Sequence, residues 1–283
     1  MSAGPRFAFL THGGSAIGLG HVGRCLSLAR ALSAVDARVV FLLGREIRVT
    51  DSVEAAGFDA VETDWESAGR AARDLVAALH PEVLVVDSYA VSGELFDSLR
   101  PVVGRLVAID DVADRPLPVH TVVNGGDGAE QLEYRGTLPD TTYLLGPRYA
   151  LLDPAYGTPP TRKTRPSVER VLVTVGGGSH VGALQAVVRA ALSLDAAAVD
   201  VVLGPFANEE MAGALEDPRV VVHRGVSALR PLMLAADVAI SGAGMTLLEM
   251  AATATPTVFL TLAPSQAPNA SAFERAGAAL PAG

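Results

Sequence analysis

The chain has a single cysteine, Cys25, and a single lysine, Lys163, in 283 residues. One cysteine excludes an internal disulfide and fits a reducing compartment. Its place inside the first helical pattern reads as a small buried residue rather than a nucleophile. Aromatic residues make up 5% of the chain, with one tryptophan, so the core must be built from Ala, Val and Leu. No apolar run reaches the length of roughly 20 residues that a membrane span needs, and no basic-then-apolar signal segment opens the chain. There is no basic run, and the net charge is −9, which argues against nucleic acid or an anionic membrane as the main partner. The expectation is a cytoplasmic protein without an obligate protein partner. The scarcity of lysine against abundant arginine reflects a GC-rich genome and carries no chemistry.

What the chain does have is apolar residues, 49% of the total, arranged as short runs that alternate with helical patterns. Strands are expected at Phe7–Thr11, Arg38–Leu43, Val83–Asp87, Leu106–Asp110, Thr121–Asn124 and Tyr143–Leu145. Helices are expected near His21–Ser33, Glu66–Leu79 and Ser92–Leu99. The strands are continuous apolar runs, as when helices cover both faces of a sheet, and the alternation points to parallel α/β structure. From Gly146 to Pro166, five prolines and the polar Arg162-Lys163-Thr164-Arg165 interrupt the pattern, as in an interdomain linker. It then restarts, with strands at Val171–Val175, Val199–Leu203, Val220–Val222, Val238–Ile240 and Thr257–Leu260. Helices are expected at Val181–Leu194, Glu209–Leu215, Leu229–Ala235, Met245–Ala252 and Ala267–Ala276. The reading is two Rossmann-like domains, 1–150 and 169–283, joined by a linker over 151–168 and separated by a cleft.

Ligands of open parallel sheets bind beyond the carboxyl ends of the strands. Six segments place glycine or polar residues there: Gly18-Leu19-Gly20-His21, Asp87-Ser88-Tyr89, Asp110-Asp111, Gly176–Ser179, Ser241–Gly244 and Pro264-Ser265-Gln266. Glycine turns allow close backbone approach, and His21 titrates near neutral pH. A histidine at a helix start also serves as a cap or packs, and both readings stand from the residues alone. Ser241–Gly244 follows a strand and opens a helix, where free N–H groups and the helix dipole suit a diphosphate. Glu249, in the second turn of that helix, is placed either to accept from ribose hydroxyls or as an ordinary surface residue. Asp87 reads either as the partner of a nearby base or as a turn former, and Tyr89 as a sugar contact or a packing residue. His12, His180 and His223 also fall near strand ends and are read as structural or peripheral. No spacing matches a zinc site, Walker motif or nucleophile elbow, and neither a metal nor a cofactor is expected. Adjacent Asp110 and Asp111 should point in different directions.

Taken together, these residues resemble the nucleotide-sugar hydrolases of pseudaminic acid biosynthesis. Those enzymes release UDP from UDP-2,4-diacetamido-2,4,6-trideoxy-β-L-altropyranose and are related to the GT-B glycosyltransferases. The resemblance spans nearly the whole chain. It is carried by Ile17-Gly18-Leu19-Gly20-His21-Val22-x-Arg24-Cys25-Leu26-x-Leu28-Ala29, Val85-Val86-Asp87-Ser88-Tyr89, Ile109-Asp110-Asp111 and Leu144-Leu145-Gly146-Pro147-x-Tyr149-Ala150-Leu151-Leu152. Val173-x-Val175-Gly176-Gly177 and Ser241-Gly242-Ala243-Gly244-x-Thr246-x-x-Glu249 extend it. The resemblance implies a GT-B-like α/β fold with the active site between the halves. His21 would activate water, with Asp87 and Tyr89 beside it. Gly18, Gly20, Arg24, Gly176, Gly177, Ser241, Gly242, Gly244, Met245, Thr246, Glu249 and Gln266 would contact the substrate, Glu249 at the ribose. The chain departs from the pattern where Ser265 precedes Gln266 in place of an Asn-Gln pair, and where Asp153 stands for the usual arginine. GT-B proteins often continue past the helix after Gln266, and the C-terminal half is read as short of that extension.

Three activities are therefore weighed: hydrolysis of a UDP-linked amino-deoxy sugar at its anomeric carbon, glycosyl transfer from a UDP-sugar, and catalytically silent nucleotide-sugar binding. The lack of a basic or apolar patch for a lipid acceptor favours hydrolysis over transfer, and His21 favours an enzyme over a silent binder.

Overall fold

The computed structural model describes residues 4–65, 69–158, 160–162, 165–176, 181–194, 196–207 and 216–282. The expected helix Glu209–Leu215, and Gly177 to His180 of the second glycine-rich turn, lie outside the described residues. The chain divides into two compact units: one contains the described residues of 1–13 and 21–153, the other those of 14–20 and 154–283.

The first unit is built on seven parallel strands: β1 Arg6–Thr11, β2 Arg38–Leu43, β3 Asp59–Glu62, β4 Val83–Asp87, β5 Arg105–Ile109, β6 Thr121–Asn124 and β7 Thr142–Leu145. Their order is β3-β2-β1-β4-β5-β6-β7. Helices α1 Gly20–Ser33, α2 Ile47–Ala55, α3 Gly69–Leu79 and α4 Gly93–Leu99 connect them. Successive side chains of a strand leave opposite faces, and both faces are buried here. Ala8, Leu10, Leu42, Leu84, Val86, Leu106 and Ala108 form one core with Ala72 and Val76 of α3 and Phe96 and Leu99 of α4. Phe9 and Phe41, on the opposite face, stack with ring centroids 5.0 Å apart.

The second unit repeats the plan with six strands: β8 Arg170–Thr174, β9 Ala198–Leu203, β10 Val220–Arg224, β11 Val238–Gly242, β12 Thr257–Leu260 and β13 Leu280–Pro281. Their order, β10-β9-β8-β11-β12-β13, is again fully parallel. Its described helices are α5 Val181–Leu192, α6 Arg230–Ala235, α7 Met245–Ala252 and α8 Ala267–Arg275. Val171, Val173, Val199, Val201 and Leu203 pack with Leu184, Val187 and Val188 of α5, while Ala243, Leu247, Phe259 and Ala270 form a second cluster.

The central strands start or end within one or two residues of their expected positions. The structure adds α2, β3 and β13, which the apolar pattern does not announce. β3 is a half-buried edge strand of four residues, Asp-Ala-Val-Glu, and β13 has two, so neither needs a long apolar run. The proline-rich segment contains 3-10 turns at Pro147–Tyr149 and Pro154–Gly157. Arg162 then fastens it to the second unit, donating to the carbonyls of Met233 and Ala236 and to Thr255 Oγ1. Among the described residues no helix is long and apolar enough to cross a membrane.

Phe96 is fully buried at the centre of the first core. Phe96→Ala is expected to cost about 3–5 kcal/mol through lost transfer energy and the cavity left behind. Urea unfolding of the variant against the parent checks this as a shift in midpoint.

Candidate active site

Both sheets reverse their strand order beside their first strand, between β1 and β4 and between β8 and β11. Doubly wound folds bind ligands outside the carboxyl ends of the strands at such a reversal. In the first unit the reversal pairs Thr11 with Asp87 in register, and Thr11 Oγ1 donates to the Asp87 carbonyl at 3.0 Å. The loop after β1 closes through two main-chain bonds between Gly14 and Gly18, 3.1 and 2.7 Å. Gly18 has φ +74°, a left-handed conformation that favours glycine. Gly20 then opens α1, which presents His21, Arg24 and Cys25 at i, i+3 and i+4 on one face.

All three converge on Asp87, whose side chain is fully buried. Arg24 donates to it twice, from Nε at 2.6 Å and Nη2 at 2.7 Å. His21 Nδ1 lies 2.7 Å from Oδ1, and Cys25 Sγ lies 3.6 Å from Oδ2. Burial alone would raise the Asp87 pKa, but the Arg24 guanidinium and the bonds it makes outweigh this and hold the carboxyl well below the usual carboxylate range. Asp87 is therefore ionised and brings no proton to its contact with His21. The tautomer of His21 that donates from Nδ1 to this carboxylate is the one that keeps a lone pair on Nε2. Arg24 Nη1 reaches across to both oxygens of Asp111, at 2.8 and 2.7 Å. Tyr89 donates to Asp111 Oδ2 at 2.8 Å and sets its ring against His21, centroids 4.6 Å apart and planes at 82°. Burial, followed by the Asp111 charge, raises the Tyr89 phenol, so it serves as a donor.

His21 also packs against His12, centroids 5.1 Å apart, and His12 in turn against Trp65, centroids 5.8 Å apart. His12 lies 3.2 Å from Ser88 Oγ through Nε2. Burial, with His21 adding to it, pushes His12 down to about 4, so its ring is neutral near pH 7. Asp110 turns away from Asp111: its Oδ1 accepts from the N–H groups of Val112 and Ala113, 3.0 and 2.6 Å, and its Oδ2 lies 3.2 Å from Arg115. Cys25 is fully buried, and burial pushes its thiol up.

The reversal in the second unit pairs Thr174 with Ser241. Gly176, just past β8, has φ +85°; Gly177 lies outside the described residues. Ser241 is buried and donates to the Gly242 carbonyl at 3.0 Å. A Cβ on Gly242 would meet Leu262 Cδ1 at 3.1 Å. Gly244 caps α7, Met245 and Thr246 form its first turn, and Glu249 follows one turn later, all half-buried. Gln266 Oε1 accepts from Leu262 N at 2.9 Å.

The structure thus gathers His21, Arg24, Asp87 and Tyr89 into one network, and Ser241, Gly242, Gly244, Met245, Thr246 and Gln266 around the start of α7. The sequence reading named Asp111 only as a strand-end candidate, without its bond to Arg24, and missed Trp65 and Asn269. Arg24, read as a substrate contact, spends its guanidinium on two carboxylates. Asp153 pairs with Arg30 at 2.8 Å, and His223 with Asp200 at 2.7 Å. Among the described residues no group of three or more His, Cys, Asp or Glu is arranged to hold a metal ion.

Two predictions follow from the burial of these charges. Asp87→Asn leaves the buried Arg24 short of a counter-charge and should cost about 3–5 kcal/mol, read by chemical denaturation. His12 is held neutral in the fold down to about 4 but titrates near 6.5 when unfolded. The unfolded chain therefore binds the extra proton between these values, and stability falls as pH drops from about 6.5 to 4. Denaturation midpoints across that window should decline for the parent and decline less for His12→Gln.

No protein-family model matches the chain. An uncharacterized protein of Methanocaldococcus jannaschii is 24% identical over 274 residues, which cover 90% of this chain and 55% of that protein. The chain thus spans about half the length of the curated relative it matches. The glycosyltransferase SnogD from Streptomyces nogalater has a similar structure, with TM-score 0.62, 19% identity, and coverage of 99% of this chain and 87% of SnogD. A candidate UDP-N-acetylglucosamine 2-epimerase from Listeria monocytogenes gives TM-score 0.59 and 12% identity, covering 92% of this chain and 80% of the epimerase. The chain has a GT-B-like fold of two parallel α/β units.

Proposed function

We propose that the protein hydrolyses a UDP-linked amino-deoxy sugar at its anomeric carbon, releasing UDP and the free sugar. The observation that carries this reading is the ionised, buried Asp87 bonded to His21 Nδ1 at the carboxyl edge of the sheet. That bond fixes the tautomer with Nε2 as acceptor, which is the form a general base needs. In the proposed reaction the oxygen of water bonds to the anomeric carbon as its proton passes to His21 Nε2. The bond from that carbon to the phosphate oxygen breaks, and UDP leaves with the electron pair. The imidazolium so formed sits against Asp87, whose negative charge stabilises it. Arg24 and Asp111 hold Asp87 and Tyr89 in place. Gly244, Met245 and Thr246 offer N–H groups and a helix dipole to the diphosphate, and Glu249 is assigned to the ribose. Gly18, Gly20, Gly176, Ser241, Gly242 and Gln266 are assigned to the surrounding contacts, as is Gly177, which lies outside the described residues. The name of the Listeria neighbour, with its UDP-sugar, fits the same donor class.

A second reading, glycosyl transfer, is favoured by the likeness to SnogD. It uses the same base on an acceptor hydroxyl in place of water. The resemblance to the pseudaminic acid hydrolases and the lack of a lipid-acceptor patch in the sequence favour water.

General-base catalysis contributes about 10²–10⁴-fold, so His21→Ala should lower kcat by that factor and leave UDP affinity little changed. The parent protein, incubated with UDP-amino sugars in ¹⁸O-water without acceptor, should place the label in the freed sugar. Label in UDP would mean attack at phosphorus and sink the proposal. Release that starts only when an acceptor is added would transfer the assignment to a glycosyltransferase.

A further inference from the structure

Asn269 lies in α8 and takes no part in the scheme above, yet its side chain makes an unusual pair of contacts. Nδ2 donates to two successive main-chain carbonyls, Ala243 O at 2.9 Å and Gly244 O at 3.0 Å. In a regular strand successive carbonyls point to opposite sides, and one nitrogen cannot reach both. Here Gly244, at φ −87° and ψ −155°, swings the second peptide plane round so that it can. Gly244 O also accepts Leu247 N at 3.1 Å, the first bond of α7. These two carbonyls share their peptide planes with the N–H groups of Gly244 and Met245. In a trans peptide the N–H points opposite to the C=O. Holding both carbonyls toward α8 therefore turns both N–H groups away from it, at the start of α7. Neither has a hydrogen-bond acceptor among the described residues.

Gly244 itself has no explanation within the fold. Its φ is not left-handed, and a Cβ there would approach nothing closer than Gln266 Nε2 at 3.7 Å. Gly242, by contrast, is required by Leu262 at 3.1 Å. The missing side chain of Gly244 keeps the approach to the two N–H groups open.

We infer that Asn269 is a positioning residue for the diphosphate of the bound nucleotide. It fixes two peptide planes in advance, so that the N–H groups of Gly244 and Met245 meet the anion without reorganising, which is where fixed donors gain their strength. The inference rests on the nucleotide reading of the preceding subsection and adds to it the residue that sets the donors.

The test separates phosphate from nucleoside. UDP is titrated calorimetrically into the full-length protein and uridine is titrated by NMR, for the parent, Asn269→Ala and Asn269→Asp. Loss of one such hydrogen-bonded brace should raise the UDP Kd about tenfold while the uridine Kd stays put. Asn269→Asp, which sets a carboxylate against two carbonyl oxygens, should weaken UDP at least as much. An equal loss for UDP and uridine would mark a merely structural residue and overturn the inference, as would an unchanged UDP Kd. If Asn269→Ala does not fold, Asn269→Ser with the same two ligands decides. A parent that binds neither ligand defeats the nucleotide reading and this inference together. A parent that binds UDP alongside variants that bind it equally defeats the inference alone.

Discussion

A carboxylate with no exposure to water is tolerated only when its charge is answered nearby, and Asp87 is such a carboxylate. The answer comes from Arg24, which must lie one helical turn beyond His21 for the same helix to supply both the countercharge and the imidazole. His21 and Arg24 thus share one face of α1, turned toward the end of β4. Arg24 in turn is held by Asp111 from the neighbouring strand end, and Asp111 holds Tyr89. One buried charge therefore draws together residues from α1 and from the ends of β4 and β5. The imidazole is the member of this network whose ring nitrogen, Nε2, is left as an acceptor by the assigned tautomer.

The same strand order in both units explains why chemistry gathers where it does. A parallel sheet built outward from its first strand leaves a gap where the order reverses, and helix starts and strand ends face it. In the first unit that gap is filled by titratable side chains, while in the second it is bordered by glycines and a helix start. The two units share one plan but border the reversal with different groups, titratable side chains in one and glycines with main-chain N–H groups in the other.

Much of this was legible in the sequence because buried parallel strands must be apolar throughout. Val83–Asp87 and Thr257–Leu260 match the structure residue for residue. Elements that pay less in burial left weaker traces: the edge strand β3 has only Ala60 and Val61 between two acids, and α2 begins with the exposed Ile47. His21 and Asp87 could be named as site residues, since each follows or ends a recognisable element. Their bond could not, because it joins positions 66 residues apart. The same limit hid Asp111 as the second anchor of Arg24, and it hid Asn269, whose partners are carbonyls that have no side-chain signature.

The geometry of the His21–Asp87 pair suits the proposed base equally whether the hydroxyl belongs to water or to an acceptor. In either proposed reaction Nε2 would take one proton, and the same carboxylate would stabilise the imidazolium. The fold is equally indifferent, since a transferase and an epimerase candidate share it at low identity. What separates the reactions is which hydroxyl reaches Nε2, and that is governed by the side chains around His21 rather than by the sheet. His12 and Tyr89 flank it with their rings, and Trp65 packs against His12. His12 is neutral near pH 7, and Tyr89 is committed to Asp111. Under the proposed scheme the choice between water and acceptor therefore rests on shape and access around the His21–Asp87 pair.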